Sequence, residues 1–400
     1  MEGALVVATG NDRGFIRPCG CSRPKLGGIT RRAAAIEDLR KRRPSFSLVS
    51  LGDMVVAGGR QQQIKFETFL GAMEEMGYEV FVPGRGELLL GGDYLVEAAR
   101  ELTGIPFLGL NLRRNGRRVF AAHRKLSSSG FLAVGLMEEG ETPSDLEIRP
   151  PAAELRAWLE ERRSLEPLLV LFSGGREGAR RVAEALPAGW KEEAFVVFGG
   201  TFDQPAQVDD VAGVRVASVG SKGRHLPVFA LGSRFNMEIV TLREELPEDE
   251  TAAEILQGYR DLVREEKLLE RWPRREPVAA YVGDEACGAC HGEIKDLMDA
   301  TAHARAFRAL AATGDQHDPE CVRCHVTGFG ERGGFVTPET TPDLADVTCE
   351  ACHGPGGNHV EDQGPLPIRG LGQRLCIRCH DPDNSTHFSF PEYWKKIRHP

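Results

Sequence analysis

Cys287-Gly288-Ala289-Cys290-His291, Cys321-Val322-Arg323-Cys324-His325, Cys349-Glu350-Ala351-Cys352-His353 and Cys376-Ile377-Arg378-Cys379-His380 are four copies of one pattern in the last third of the chain. Two thiols three positions apart can form thioethers to the two vinyl groups of one porphyrin, and the adjacent imidazole then reaches the iron as its proximal ligand. The pattern predicts four haem c groups, with thioethers at Cys287, Cys290, Cys321, Cys324, Cys349, Cys352, Cys376 and Cys379 and proximal imidazoles at His291, His325, His353 and His380. Paired Cys-x-x-Cys units can also hold zinc, but a zinc site has no use for a histidine after every pair. A thioredoxin-like redox pair would need a surrounding βαβ pattern and does not explain four copies.

Low-spin haem needs a sixth ligand, and five histidines remain in this region: His303, His317, His359, His387 and His399. Five candidates compete for four irons. His303 sits in Thr301-Ala302-His303-Ala304-Arg305-Ala306-Phe307 on an expected helix, and His359 follows Gly354-Pro355-Gly356-Gly357-Asn358. His399 can fold back if Tyr393 and Trp394 pack against a porphyrin. For His317 and His387, a solvated loop position competes with ligation. A haem left five-coordinate would have an open position for a small molecule, the difference between a relay and a catalytic cytochrome.

Working outward, eight of the ten cysteines and nine of the eleven histidines fall in this last part of the chain. The 400 residues suffice for two or three domains, and 41% hydrophobic with 27% charged residues describes an ordinary globular chain. No run of eighteen apolar residues occurs, so no transmembrane helix is expected, and a net charge of −9 gives no reason to expect nucleic acid.

Before the motifs, short apolar runs alternate with amphipathic stretches. Leu5-Val6-Val7-Ala8, Leu48-Val49-Ser50-Leu51, Val80-Phe81-Val82 and Phe131-Leu132-Ala133-Val134 read as strands, and Thr30 to Arg42 as a helix. Further strands are predicted over Leu168 to Phe172, Ala194 to Phe198, Val214 to Val219, Val228 to Leu231 and Met237 to Leu242, so the sheet should be mixed. From Asp249 to Glu270, Ala252, Ile255, Leu256, Tyr259, Leu262 and Val263 share one helical face, and Pro273 and Pro277 stop the helix. The expected division is a first domain over 1–245, a linker helix over 246–276 and a tetrahaem domain over 277–400.

Asp318-Pro319-Glu320-Cys321-Val322-Arg323-Cys324-His325-Val326-Thr327-Gly328-Phe329-Gly330, then Val347-Thr348-Cys349-Glu350-Ala351-Cys352-His353-Gly354-Pro355-Gly356, His359 and the ending Tyr393-Trp394-Lys395-Lys396-Ile397-Arg398-His399 resemble the tetrahaem cytochrome c-554 family. The resemblance implies closely packed haems, mostly bis-histidine ligation and periplasmic electron transfer. It favours His303, His359 and His399 as distal ligands.

Thr9-Gly10-Asn11-Asp12-Arg13-Gly14, Gly27-Gly28-Ile29-Thr30-Arg31-Arg32-Ala33, Leu51-Gly52-Asp53, Gly84-Arg85-Gly86-Glu87 and Val219-Gly220-Ser221-Lys222-Gly223 resemble, in order, the calcineurin-like metallophosphatase domain of 5′-nucleotidases. That resemblance implies a four-layer αββα sandwich and a two-metal site that activates water for attack on phosphate. The whole chain would be α+β, the sandwich being followed by a mainly helical and looped multihaem domain. Asp53 stands where the bridging aspartate is expected and Asp12 could match the first aspartate, a vestigial site. The family's histidines are absent: Arg13 and Gly14 follow Asp12, Arg85 and Gly86 replace the asparagine and histidine, Leu171-Phe172-Ser173-Gly174-Gly175 lacks the next one, and the Gly-His-x-His segment reads Gly199-Gly200-Thr201-Phe202. His123 and His225 fall outside these motifs. An arginine in place of a neutral ligand repels a metal, so a scaffold or docking module is expected in place of a hydrolase.

Cys19-Gly20-Cys21 is explained by neither resemblance. Two thiols at this spacing cannot easily close an unstrained disulfide, and a redox or metal-binding role stands against buried thiols or a strained bond. Thioether attachment implies export, so a periplasmic or extracellular location is expected. Met1-Glu2-Gly3 leads straight into the first strand without a leader's basic and apolar regions, so the leader is expected to have been removed or the start assigned late.

Residues 277–400 carry eleven Lys and Arg against eighteen Asp and Glu, a surface suited to basic redox partner proteins, to cations such as metal ions, or to solubility alone. Self-assembly into an oligomer or filament is invisible in the sequence. Three functions compete: an electron relay of four haems, a haem enzyme acting on a small nitrogen or sulfur compound, and a redox-linked phosphoesterase.

Overall fold

The computed structural model describes residues 3–18, 24–142, 145–162, 165–200, 204–205, 209–232, 235–365 and 371–399. Cys19 and Cys21 lie outside the described residues. The described residues divide into two compact units, one running to Gly258 and the other from Tyr259 onward. The division falls inside the helix Glu250–Glu265. On that helix Ala252, Leu256, Tyr259 and Val263 are buried as their spacing predicts, whereas Leu262 is exposed.

The first unit is built on two mixed sheets. One has the order Asn236–Thr241, His225–Leu231, Ala4–Thr9, Ser47–Ser50, Val80–Phe81. Ala4–Thr9 pairs parallel with Ser47–Ser50 and antiparallel with His225–Leu231. The other has the order Asp209–Val211, Val214–Ser218, Ala194–Phe198, Leu168–Ser173, Leu132–Met137, His123–Lys125, parallel at its centre and antiparallel at both edges.

Alternation along the central strands shows why the sheets stack. Leu169, Leu171, Phe195 and Val197 join Val6, Ala8, Val49 and Phe229 in one buried cluster between the sheets. Their neighbours Leu168, Val170, Phe172, Val196 and Phe198 point the other way and bury Leu155, Leu159, Ala179 and Val182 of the helices Pro151–Glu160 and Arg176–Glu184. Against the first sheet, Phe66 of the helix Arg60–Met76 meets Phe81 with ring centroids 5.8 Å apart. Helix, sheet, sheet, helix is the layering that the resemblance implied.

One strand is longer than its sequence indicates. His225–Leu231 begins before Pro227, and its pairs with Ala4–Thr9 stop at Val7 and Val228, so the proline interrupts no pair with that strand. No described helix is long and apolar enough to cross a membrane.

The second unit consists of short helices joined by loops, among them Asp284–Gly288, Gly292–Asp299, Ala306–Ala311, Pro319–His325, Cys349–His353, Gly357–Asp362 and Phe390–Ile397. Its buried apolar cluster is small: Leu269, Leu310, Val322, Val326, Phe335 and Leu344.

Candidate functional site

Each Cys-x-x-Cys-His motif lies on or beside one helical turn, which brings the first cysteine and the histidine to the same face. His291 N donates to the Cys287 carbonyl at 2.9 Å, and His380 N does the same to Cys376 at 2.9 Å. The second motif ends the helix Pro319–His325, whose start is capped by Asp318 accepting from Glu320 N at 2.9 Å. The third motif is itself the helix Cys349–His353.

Three of the proximal histidines face one of the spare histidines. His291 and His359 have ring centroids 6.3 Å apart at 18°, His303 and His380 6.0 Å apart at 55°, and His353 and His399 5.7 Å apart at 38°. An imidazole nitrogen lies about 2 Å from a first-row metal, so two rings sharing one ion have centroids about 6 Å apart. The rings are thus spaced as a shared iron requires.

Burial lowers the proton affinity of His303, His353 and His380, and the imidazoles facing His303 and His353 lower it further. Neutral imidazole is the form that ligates metal. His325 places Nδ1 2.6 Å from the Ala306 carbonyl oxygen, an arrangement that leaves Nε2 for the metal. The structure does not bring the other two spare histidines to a proximal one. His317 lines a cavity of about 380 Å³ with Lys267, Leu268, Glu270 and Glu339, and His387 is exposed.

The cysteines also place the motifs. The free thiol of Cys287 lies beside that of Cys349, and the free thiol of Cys324 beside that of Cys379, setting the first motif beside the third and the second beside the fourth. These contacts push Cys287 and Cys379 up and bring Cys324 down to about 7. Thioether formation would remove these titrations.

Glu350, inside the third motif, was not singled out by its spacing, yet it ties this region together. Its carboxylate, 3% exposed, accepts from Val282 N at 3.1 Å, Gly283 N at 2.9 Å and Gly356 N at 2.7 Å. One buried anion thereby fixes the approach to Cys287 and the loop that leads to His359.

In the first unit, Asp12 and Asp53 follow the carboxyl ends of the parallel strands Ala4–Thr9 and Ser47–Ser50, where α/β proteins build their sites. Asn11, Arg13 and Asp53 all have positive φ, at 54°, 53° and 52°, a strained backbone of the kind that sites hold. The chemistry differs from a metal centre. Asp12 is fully buried and forms an ion pair with Arg32 of the helix Ile29–Arg42, whose Nη1 lies 3.3 Å from the second carboxylate oxygen. Tyr78 bonds Arg32 and places its hydroxyl 2.8 Å from Thr9 Oγ1. The cation beside Asp12 is therefore a side chain. Arg85, which stands in place of the family's asparagine, packs against Gly140.

Asp53 accepts from Gly86 N at 2.9 Å and lies 3.4 Å from Ser173 Oγ. Glu87 accepts from Gly84 N at 2.6 Å, Met54 N at 2.7 Å and Asp53 N at 2.8 Å. Among the described residues, no three His, Cys, Asp or Glu side chains gather to hold a metal ion. A two-metal phosphatase centre does not fit this donor set. His123 packs on Trp158 and His225 bonds Thr241, both on strands outside these loops.

Burial and then the neighbouring Asp53 push Glu87 up to about 7, and burial also raises Asp53. A carboxyl raised on folding binds its proton more tightly in the native state, so it stabilises at acid pH and that contribution is lost as pH rises through the folded value. The first unit should lose stability between about pH 4.5 and 7 through this group, and Glu87→Gln should flatten that slope. Thermal melting of both proteins across this range checks it; parallel profiles would refute it.

Residues 286–354, which contain the first three motifs, match the family described as cytochrome c554 and c-prime. Cytochrome c-554 of Nitrosomonas europaea is 36% identical over 99 residues, 21% of this chain and 42% of the relative. The chain thus spans less than half the length of that protein. A 5′-nucleotidase precursor from Thermus thermophilus superposes with a TM-score of 0.55 at 17% identity, over 78% of this chain and 68% of its own. The sulfate thiohydrolase SoxB of Thermus thermophilus superposes with a TM-score of 0.55 at 14% identity, over 74% and 69%. At these identities the likeness is one of fold. The chain joins a 5′-nucleotidase-like fold to a segment that matches the cytochrome c554 family.

Proposed function

We propose that this chain is a multihaem c-type cytochrome that carries electrons through four covalently attached haems, exported for haem attachment, with the first unit serving as a non-hydrolytic scaffold or docking module. The observation that carries the reading is the set of three proximal and distal histidine pairs, spaced for a shared iron beside paired thiols. Haem supplies one-electron chemistry; the protein's part is axial ligation, hydrogen bonding and burial.

In this reading the eight cysteines of the motifs hold the porphyrins covalently. His291, His325, His353 and His380 hold the irons from one side, and His359, His303 and His399 close three of them from the other. Cys287 beside Cys349 and Cys324 beside Cys379 bring the motifs together in pairs, which keeps electron hops short. The domain division that goes with this reading is 1–245, a linker helix over 246–276, and 277–400.

Mass spectrometry of the exported protein, with its pyridine haemochrome spectrum, should give four haems per chain; fewer than four would overturn the count. A reversible voltammetric response spread over several components is expected. In this reading no distal histidine is assigned to the iron at His325, so one high-spin component is expected from that iron; turnover of a small nitrogen or sulfur compound there would instead favour a haem enzyme.

The Asp12 and Arg32 pair supports the non-hydrolytic assignment, because a carboxylate neutralised by an internal guanidinium has no role left as a ligand. No turnover of p-nitrophenyl phosphate or bis(p-nitrophenyl) phosphate is expected with Mn²⁺ added. Measurable Mn²⁺-dependent hydrolysis, abolished by Asp53→Asn, would reverse the assignment.

A further inference from the structure

The proximal imidazoles have different surroundings on the nitrogen turned away from the metal. His325 Nδ1 lies 2.6 Å from a backbone carbonyl oxygen, that of Ala306. His380 Nδ1 lies 3.2 Å from the Ser385 hydroxyl. His353 Nδ1 is buried without a hydrogen-bond partner. A histidine bound to iron through Nε2 carries its proton on Nδ1, so this atom donates. An acceptor there makes the ligand more basic and favours ferric iron; a weak or missing acceptor favours ferrous iron.

Ser385 is built for this contact. It is 7% exposed and lies in a turn organised by Asp381, whose carbonyl accepts from Ser385 N at 2.8 Å. The Asp381 carboxylate accepts from Asp383 N at 2.9 Å and Asn384 N at 2.8 Å, fixing the same turn from within. Phe388 stacks on the His380 ring at 4.9 Å and 8°, and Tyr393 meets it edge-on at 5.4 Å. Clamped between aromatic rings, the imidazole cannot rotate to find another acceptor.

We infer that Ser385 is a positioning residue that orients His380 through its Nδ1 proton and sets the reduction potential of the iron at the fourth motif. This rests on the haem reading above and adds to it: electrons are graded along the chain by the acceptors behind the proximal histidines, and Ser385 is the side chain that supplies one of them.

The test is a spectroscopic redox titration of the full haem-loaded chain. Ser385→Ala removes the acceptor and should shift one component of the titration to higher potential while the others stay in place. Ser385→Asp offers a stronger acceptor and should shift the same component to lower potential. A merely structural role would move both variants in one direction or move every component together, and either result overturns the inference, as does an unchanged titration.

If alanine loosens the turn and haem content falls, Ser385→Thr keeps the hydroxyl and must retain the parent potential for the inference to stand. Failure of the underlying haem reading would appear separately, as missing haem c in the parent protein.

Discussion

Replacing His359 with alanine is expected to convert one haem from low spin to high spin without changing the number of haems attached. Cys287, Cys290 and His291 are untouched, so attachment and proximal ligation persist at that site. His359 stands over His291 with near-parallel rings. It is presented by the helix Gly357–Asp362, whose first residue donates to the Ala280 carbonyl at 2.9 Å, and its Nδ1 is bonded to the Gly364 carbonyl, which leaves Nε2 to face the metal. A preset ligand of this kind fills the sixth position without reorganisation.

Its loss opens that position to water, and imidazole added to the solution should restore the low-spin state. EPR of the oxidised protein and the visible spectrum read both changes. An unaltered spectrum in His359→Ala would mean that His291 and His359 do not share an iron.

The second large effect is on stability. Arg32→Ala should destabilise the first unit by about 3–5 kcal/mol, because it leaves the Asp12 carboxylate buried without its counter-ion. For a unit of this size that is a fall in melting temperature of roughly 10 °C. Burial works against the charge on Arg32, but Asp12 and Tyr78 together more than offset it and the guanidinium stays charged. Gly223, at φ 58°, leaves the room that the pair occupies; a Cβ there would collide with both partners.

The double replacement Asp12→Leu with Arg32→Met should recover most of the loss, since an apolar pair of similar volume avoids the desolvation cost. Calorimetry of the full chain resolves the first unit's transition. If Arg32→Ala melted as the parent does, the pair would have no part in the fold.

How much of this was legible depended on how local each signal is. The four motifs were readable because thiols and imidazole act within one helical turn, and the central strands because both faces of Leu168–Ser173 and Ala194–Phe198 are apolar. His123–Lys125 gave no such signal, being a short polar edge strand. Which spare histidine meets which motif histidine could not be read, because His303 reaches His380 only through the tertiary fold.

Arg32 was hidden for a related reason. In Thr30-Arg31-Arg32-Ala33 it looks like a solvated helix residue, and only the close approach of Asp12 shows that it points inward. Ser385 and Glu350 were missed because a hydroxyl or a carboxylate beside a motif has no characteristic spacing.

Six side chains, Leu269, Leu310, Val322, Val326, Phe335 and Leu344, make up the apolar cluster of the second unit. Few buried apolar groups therefore oppose the conformational entropy of ordering this unit. On the haem reading, porphyrins joined through thioethers would add buried surface around this cluster, and the second unit's packing would be completed by the groups it binds. Assembly would then have a direction on that reading, with thioether chemistry at each motif preceding compaction around it.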